Sequence, residues 1–522
     1  MSLTFPDLIF WLPVIPVICA GVVLLLPKKH LFLSFMLALA TLLFVLFAVI
    51  LSNTMVLPWK TDMLSPLSTT ASWIPDFHFN IIMILDSYSG WMIIMTLLAA
   101  ITCLFFSTFV EVNPGWNKIF ILLVLTGSTT GVFLARDILS FLFSWGAWLI
   151  VPFFVNPIEN NRQRTPGYLK FFVFHLFSLI CVATAFSLVH FNYLIRAGVR
   201  GLDFSTISRV SIPDSSQQLL FILFIVGFGI RMPLFPFHSW LSDTLSEMPS
   251  GISAFITSTG LATGVYSMLR FAIPICPDAS LDYKKYVIFA ALLSMVYSAM
   301  VALMNPHVLQ RLGFITMNYA GLALLGLFTF NESGTVGAVL TSANFIAPIT
   351  VIILFSGWLT VKAKTVLMQD FTGLQRKFPL TCVVFLLVSM TLAGIPGLNL
   401  FSGLFLTIAG LLLIQPVWAG IAMGAFLILA TGMLWMFQKL FTGKMSLVVN
   451  TFNQGDDLKT GRLLIPMTVL IIWLGFFPQY MIHSFTDQAN TISRYIQSHR
   501  VLKQTEPGMT PMELFFQQHR QR

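Results

Sequence analysis

Four ionisable residues fall in one short stretch, "FGIRMPLFPFHSWLSDTLSEMPSG", residues 228–251: Arg231, His238, Asp243 and Glu247. They supply a permanent cation, an imidazole that titrates near neutrality and two carboxylates, the group types that hold, pass or repel protons. The stretch lies between long apolar runs, so some of these groups sit close to or inside hydrocarbon. Ionisable side chains are costly there and are by default functional. Lys170, His175 and Asp137 offer the same chemistry elsewhere in apolar surroundings. Each also has a plainer reading. Lys170 is near a run end, where lysine anchors the interface. Asp137 opens a helix, where a carboxylate suits the dipole. His175 on an apolar helix is most simply a packed, hydrogen-bonded residue, and His238 a structural histidine bonded to a loop carbonyl.

Such groups must be held by elements that cross the bilayer. The chain has 522 residues, 57% hydrophobic and 9% charged, with mean hydropathy +0.86; soluble proteins carry about 25% charged residues. Runs such as "FLSFMLALATLLFVLFAVIL" are continuously apolar and reach the roughly 20 residues a membrane helix needs. They lack the alternation of a barrel strand. The expected fold is therefore all-α and integral to the membrane. About fourteen spans are predicted, near 7–26, 31–52, 84–109, 117–134, 137–156, 168–191, 217–237, 251–275, 286–305, 309–330, 336–361, 379–412, 418–441 and 463–486. They form one polytopic domain over 1–490, followed by a polar tail over 491–522. That tail is either a disordered end or a short amphipathic helix that docks on a neighbour.

Two spans should be broken. Pro233 and Pro236 interrupt one, and Pro396 with Gly394 and Gly397 the other. Proline removes a backbone donor and clashes with the preceding turn. Broken helices at membrane depth are tolerated where they are buried or line a cavity, and their five-span separation hints at an internal repeat.

The net charge of +9 is scattered over short loops, with no basic arm, which argues for topology signals and against nucleic acid. Lys28, Lys29, Arg162, Arg164, Lys362, Lys364, Arg376, Lys377, Lys439, Lys444, Lys459 and Arg462 place the odd loops in the cytoplasm, against Arg196, Arg200 and Arg209 in loop six. Trp59, Trp116 and Trp240, near run ends, are expected in the interfacial belt. The first run lacks a basic leader and is read as a retained helix. The five cysteines form no metal-spaced pair, and no phosphate loop, dinucleotide fingerprint or Ser-His-Asp set is present. No cofactor, metal site or catalytic site is expected.

The stretch around Arg231 resembles the "K-x-P-x-x-P-x-H-x-W-L-P-D-A" segment of the antiporter-like subunits, chain M type, of proton-pumping NADH:quinone oxidoreductase (complex I) and related multisubunit cation/proton antiporters. It is matched here by Arg231, Pro233, Pro236, His238, Trp240, Leu241 and Asp243, then Glu247 and Pro249. "ILDSYSGWM", "RDILSFLFSWGAWLIVPFF", "YLKFFVFHLF", "TGVYSMLRF", "LAGIPGLNLFSGLF" and "WLGFFPQYMI" follow in the family's order, over about residues 80–486. The resemblance implies two inverted five-helix repeats with broken helices 7 and 12. It also implies a buried axis in which a helix-five carboxylate, a helix-seven lysine, a helix-eight lysine and a helix-twelve Lys or Glu relay protons.

Carried over residue by residue, these positions fall on Gly146, Arg231, Ala262 and Leu404. Arginine does not deprotonate in proteins, so the implied relay axis is dismantled. Arg231 must find substitute partners, with exposed carbonyls at the break, Glu247, Asp243 and Asp137 as candidates. The resemblance implies a membrane subunit of an NADH:quinone oxidoreductase-like complex that translocates protons, with electron transfer in other subunits. The alternatives are a diverged, non-conducting structural paralogue or the membrane partner of an inorganic-carbon (bicarbonate or CO2) uptake system. The implied partners are other membrane and peripheral subunits and the lipid bilayer. The implied location is a bacterial-type cytoplasmic (inner) membrane.

Overall fold

The computed structural model describes residues 5–27, 30–56, 67–74, 79–111, 114–159, 166–197, 203–204, 212–453 and 455–505. Lys28, Lys29, Trp59, Arg162, Arg164, Arg200 and Arg209 lie outside them. Among the described residues, twelve helices are long and apolar enough to cross a membrane, or thirteen if the bent pair Met368–Arg376 and Pro379–Leu392 is one span, against the fourteen or so expected; Ser216–Arg231 and Asn399–Leu412 are shorter apolar helices. We number the helices α1 Phe5–Leu25, α2 Leu31–Val56, α3 Ser87–Phe109, α4 Trp116–Leu134, α5 Ile138–Gly146, α6 Val151–Glu159, α7 Pro166–Ala197, α8 Asp214–Arg231 and α9 Ser239–Glu247. After them come α10 Ser250–Ser267, α11 Lys284–Met304, α12 Val308–Leu327, α13 Glu332–Ala363, α14 Pro379–Leu392, α15 Asn399–Leu412, α16 Pro416–Phe441, α17 Gly455–Phe476 and α18 Gln479–Thr505.

Three spans, α4, α10 with its extension to Ile275, and α13, are wholly buried and form the centre. Others turn a stripe of large apolar side chains outward, such as Phe32, Phe143 and Phe289, as lipid-facing helices do. The α10 sequence "SGISAFITSTGLATGVYS" is polar for a buried span. It is tolerated because Ser253, Thr257, Ser258, Thr259, Thr263 and Ser267 all donate to carbonyls of their own helix.

Both predicted breaks are present. α8 stops at Arg231 and the chain resumes as α9 at Ser239. α14 ends at Leu392, and α15 begins at Asn399 after Gly394 (φ +69°) and Gly397 (φ +89°). Both are left-handed conformations that favour glycine. The far side of this second break is clamped to α13 by a reciprocal pair. Asn344 Nδ2 donates to the Asn399 carbonyl and Asn399 Nδ2 to the Asn344 carbonyl, both at 2.8 Å.

Three features differ from the sequence reading. The fifth span is not continuous: α5 tightens into a 3-10 turn at Ala147–Ile150 before α6. Between α2 and α3 an antiparallel hairpin, β1 Leu67–Ile74 and β2 Phe79–Leu85, replaces plain loop. Its second strand bonds the start of α5, with Arg136 N donating to the Ile82 carbonyl at 2.9 Å. The closing span is α17, and the polar α18 runs unbroken through residue 490. α18 packs on its own chain: Trp91 Nε1 donates to Ser484 Oγ at 3.0 Å, and Ser493 Oγ to the Phe330 carbonyl at 3.0 Å.

A buried ion pair fastens the centre. Lys118 Nζ lies 2.6 Å from Glu111 Oε2, with side chains 4% and 5% exposed. Glu111 Oε1 accepts from Gly251 N at 2.7 Å, so one carboxylate joins the end of α3, the start of α4 and the start of α10. Removing one partner of a buried pair leaves an uncompensated charge and costs about 3–5 kcal/mol. Glu111→Ala is expected to lose roughly that stability in detergent unfolding. Glu111→Ala with Lys118→Met is expected to recover most of it; equal loss in both variants would contradict this role for the pair.

Candidate functional site

Arg231 ends α8 because the prolines that follow cannot continue it. Its side chain is buried, 1% exposed. Across from it, the fifth span presents Trp145 and Trp148, three residues apart and so on one helical face. The guanidinium carbon lies 3.7 Å from the Trp145 ring centroid and 4.1 Å from that of Trp148. Aromatic faces carry negative quadrupole charge, and a cation over them is worth about 2 kcal/mol or more when desolvated. Where α5 tightens into 3-10 geometry its i→i+4 pattern lapses. There the Trp145 carbonyl accepts from Arg231 Nη2 at 2.6 Å.

The walls of this box are themselves fixed. Trp145 Nε1 donates to Ser178 Oγ at 3.1 Å, and Ser178 Oγ donates to the Gly227 carbonyl at 2.6 Å. Trp148 stacks on His175 with centroids 5.6 Å apart, and His175 meets Phe171 at 4.0 Å and the edge of Trp240 at 4.6 Å. Trp240 Nε1 closes the ring by donating to the Ile230 carbonyl at 3.0 Å. A Cβ on Gly260 would stand 3.1 Å from the Arg231 carbonyl and 3.5 Å from Trp148, so glycine there lets α10 lie against the box.

The expected acidic partners are engaged elsewhere. Asp243 pairs with Lys170. Glu247 Oε2 accepts from Gly167 N at 2.8 Å, and the Glu247 carbonyl from Tyr168 Oη at 3.0 Å, so both acids tie α9 to the start of α7. Asp137 caps α5, accepting from Ser140 N at 2.8 Å and from Ile82 N at 2.9 Å. Burial pushes its carboxyl up from the ordinary range, and the Ser140 and Ile82 hydrogen bonds oppose that rise. Among the described residues, no carboxylate pairs with Arg231. Its partners are one carbonyl from a different break and two indoles.

The histidines separate. His175 belongs to the box: its Nδ1 lies 2.9 Å from the Phe171 carbonyl, so Nδ1 carries the hydrogen and Nε2 presents a lone pair in the neutral ring. His238 lies half-buried beside Phe235, Tyr297 and Phe314, with centroids 5.3–6.0 Å away. Trp240, expected in the interfacial belt, is instead 1% exposed in the core because its N–H has found the Ile230 carbonyl.

The three uncharged positions lie in apolar packing. A Cβ on Gly146 would meet Leu179 at 3.2 Å, and Ala262 is fully buried. Leu404, 5% exposed, lies beside Gly394 and Phe426 at the second break.

Sequence reasoning missed one further charge cluster. Asp86, which caps α3, accepts from Arg136 Nη2 at 2.9 Å and pairs with Arg270. Arg270 sits in a π-helical turn, Met268–Ala272, a local widening that frequently marks functional sites. Tyr266 packs between them and donates to the Phe133 carbonyl at 2.6 Å. Charged groups thus accompany the buried α10 at three levels: Glu111 and Lys118 at its start, Arg231 beside Gly260, and the Asp86 cluster at its end. The central charge is permanent, and the nearby imidazole of His175 is buried and stacked on Trp148. This arrangement holds a fixed positive charge in the core and, among the described residues, no acid–amine pair at its centre.

Residues 135–428 match the family described as NADH:quinone oxidoreductase/Mrp antiporter, TM. The chain is 25% identical over 415 residues to NADH-ubiquinone oxidoreductase chain 4 of Chondrus crispus, covering 79% of this chain and 82% of that one. It is 25% identical over 417 residues to NADH-quinone oxidoreductase subunit M of Escherichia coli K12, covering 78% and 81%. A chain of respiratory complex I from Thermus thermophilus superposes with a TM-score of 0.79 at 23% identity, over 93% of this chain and 99% of that one, which is a likeness of fold.

If the indoles hold the guanidinium, a double-mutant cycle of Arg231→Met and Trp148→Leu in detergent unfolding will give a coupling energy of about 1–2 kcal/mol. Additive effects would show that the two side chains do not stabilise each other.

Proposed function

The chain belongs to the NADH:quinone oxidoreductase/Mrp antiporter membrane family, and from that premise we propose that it is the antiporter-like, chain M type, subunit of an NADH:quinone oxidoreductase-type complex. In that role it is a multi-pass membrane subunit. Redox chemistry in partner subunits drives proton movement, and this chain supplies no redox group. A bacterial cytoplasmic membrane is the proposed location, because bacterial relatives carry the subunit M name.

We further propose a particular role for the central charge. Arg231 occupies the place where the family resemblance implies an exchangeable lysine, and it lies over two indoles with no carboxylate partner among the described residues. That observation carries the reading. The guanidinium keeps its charge throughout a cycle and sets the electrostatic barrier that a proton meets near the midplane. His175, Lys170, Asp137, Asp243, Glu247 and His238 then act through structure or local solvation, and the Pro233, Pro236 and Pro396 breaks hold the geometry. Gly146, Ala262 and Leu404 leave the midplane without the relay that the resemblance implies.

The test begins with copurification in mild detergent. Flavin- and iron–sulfur-containing partners are expected, together with NADH-dependent quinone reduction that acidifies one side of a proteoliposome. Arg231→Gln should change the proton gradient formed per NADH oxidised and leave NADH oxidation by a soluble artificial acceptor unchanged. Copurification with a soluble zinc protein in place of redox subunits would overturn the assignment. An unchanged gradient in Arg231→Gln would overturn the electrostatic role.

A further inference from the structure

Far from Arg231, at the predicted cytoplasmic ends of three spans, the surface opens a cleft of about 310 Å³. Phe109, the last residue of α3, and Trp358 and Val361, in the last turns of α13, supply its apolar wall. Phe109 and Val361 are half exposed, so this wall continues onto the lipid-facing surface. The rim is basic. Lys362 and Lys364 come from the end of α13, and Lys459 from the first turns of α17.

The charges around this rim do not cancel. Lys362 pairs with Asp456, and its ammonium lies 5.0 Å from the Trp358 ring centroid. The neighbouring Asp457 is turned inward, accepting from Leu380 N at 3.0 Å and from Thr381 N at 2.9 Å. Lys364 and Lys459 are exposed and have no carboxylate partner among the described residues. Three lysines against one carboxylate leave the cleft with two excess positive charges. Lysine near a helix C-terminus is ordinary, since its charge favours the terminal carbonyls. That accounts for Lys362 and Lys364 but not for Lys459, which begins its helix, where the dipole disfavours a cation.

We propose that this cleft binds an anionic phospholipid of the cytoplasmic leaflet. The phosphate lies between Lys364 and Lys459, and an acyl chain runs along Phe109 and Val361. Charge complementarity and an apolar wall open to the bilayer select this occupant. A free anion would have no use for the wall, and a zwitterionic lipid would leave the excess charge uncompensated. The site does not depend on the role given to Arg231. A lysine beside an anionic headgroup strengthens binding by about fivefold, so losing two weakens it by tenfold or more.

The test uses the full-length protein, delipidated in mild detergent and titrated with phosphatidylglycerol or phosphatidylcholine, with bound lipid counted by native mass spectrometry. Wild type should retain one phosphatidylglycerol per chain about tenfold more tightly than phosphatidylcholine. Lys364→Gln with Lys459→Gln should abolish that preference, and the double arginine variant should keep it, which separates loss of charge from misfolding. Equal preference in the glutamine variant would overturn the proposal. Displacement of the lipid by millimolar inorganic phosphate would overturn the lipid source, since a simple anion would then be the ligand.

Discussion

A guanidinium with no carboxylate partner among the described residues, deep in a bundle of apolar helices, constrains everything packed around it. Arg231 meets that constraint with π faces and a backbone carbonyl in place of an acid. Each partner must be held still, because a rotated indole would return the full desolvation cost of the charge. Ser178 holds Trp145, His175 backs Trp148, and Trp240 ties the ring to the helix that carries Arg231. The 3-10 turn in the fifth span belongs to the same solution, since it frees the carbonyl that the guanidinium uses.

This solution separates the chain chemically from what its family resemblance implies. A lysine gives up its proton readily when desolvated, and a carboxylate beside it can alternate with it. A guanidinium over indoles does neither. It acts at a distance: two unit charges 10 Å apart interact by about 2 kcal/mol at an effective dielectric constant of 20. That is enough to alter proton distribution along neighbouring polar groups without any proton residing on Arg231. A buried Lys–Glu pair lies instead at the start of α10, where Glu111 and Lys118 hold three helices together.

Most of the architecture was legible because hydropathy and proline are strong signals in lipid. The long continuous spans followed from run length, and both breaks from Pro233, Pro236, Pro396 and the glycines beside it; the count came out at twelve to thirteen because the helices at the breaks are too short to cross alone. The site was only partly legible. Sequence spacing placed Arg231 at the centre, and the Trp145–Trp148 spacing of three already put two indoles on one face. Their use as a cation box required knowing that α8 packs there. The Asp86, Arg136 and Arg270 cluster joins residues up to 184 positions apart, which no local pattern reveals. The pairing of Glu111 with Lys118 joins the end of α3 to the start of α4, which no single helical period reveals. The hairpin was hard to read because its second strand, "FNIIMIL", is a nearly continuous apolar run that merges with the span after it, and "LSTTASWI" is too short to stand out alone.

The proposed state of the core cation is a permanent charge held by two indoles and one carbonyl of this chain, with Nε and Nη1 making no hydrogen bond. It is tested most directly by an experimental structure of the assembled complex at a resolution that places side chains. The expected result is the guanidinium carbon of Arg231 about 4 Å from the Trp145 and Trp148 rings, with the Trp145 carbonyl as acceptor and no carboxylate within about 4 Å. An Asp or Glu from this chain or a neighbouring subunit bonded to Arg231 would contradict it and would supply the missing half of a relay pair.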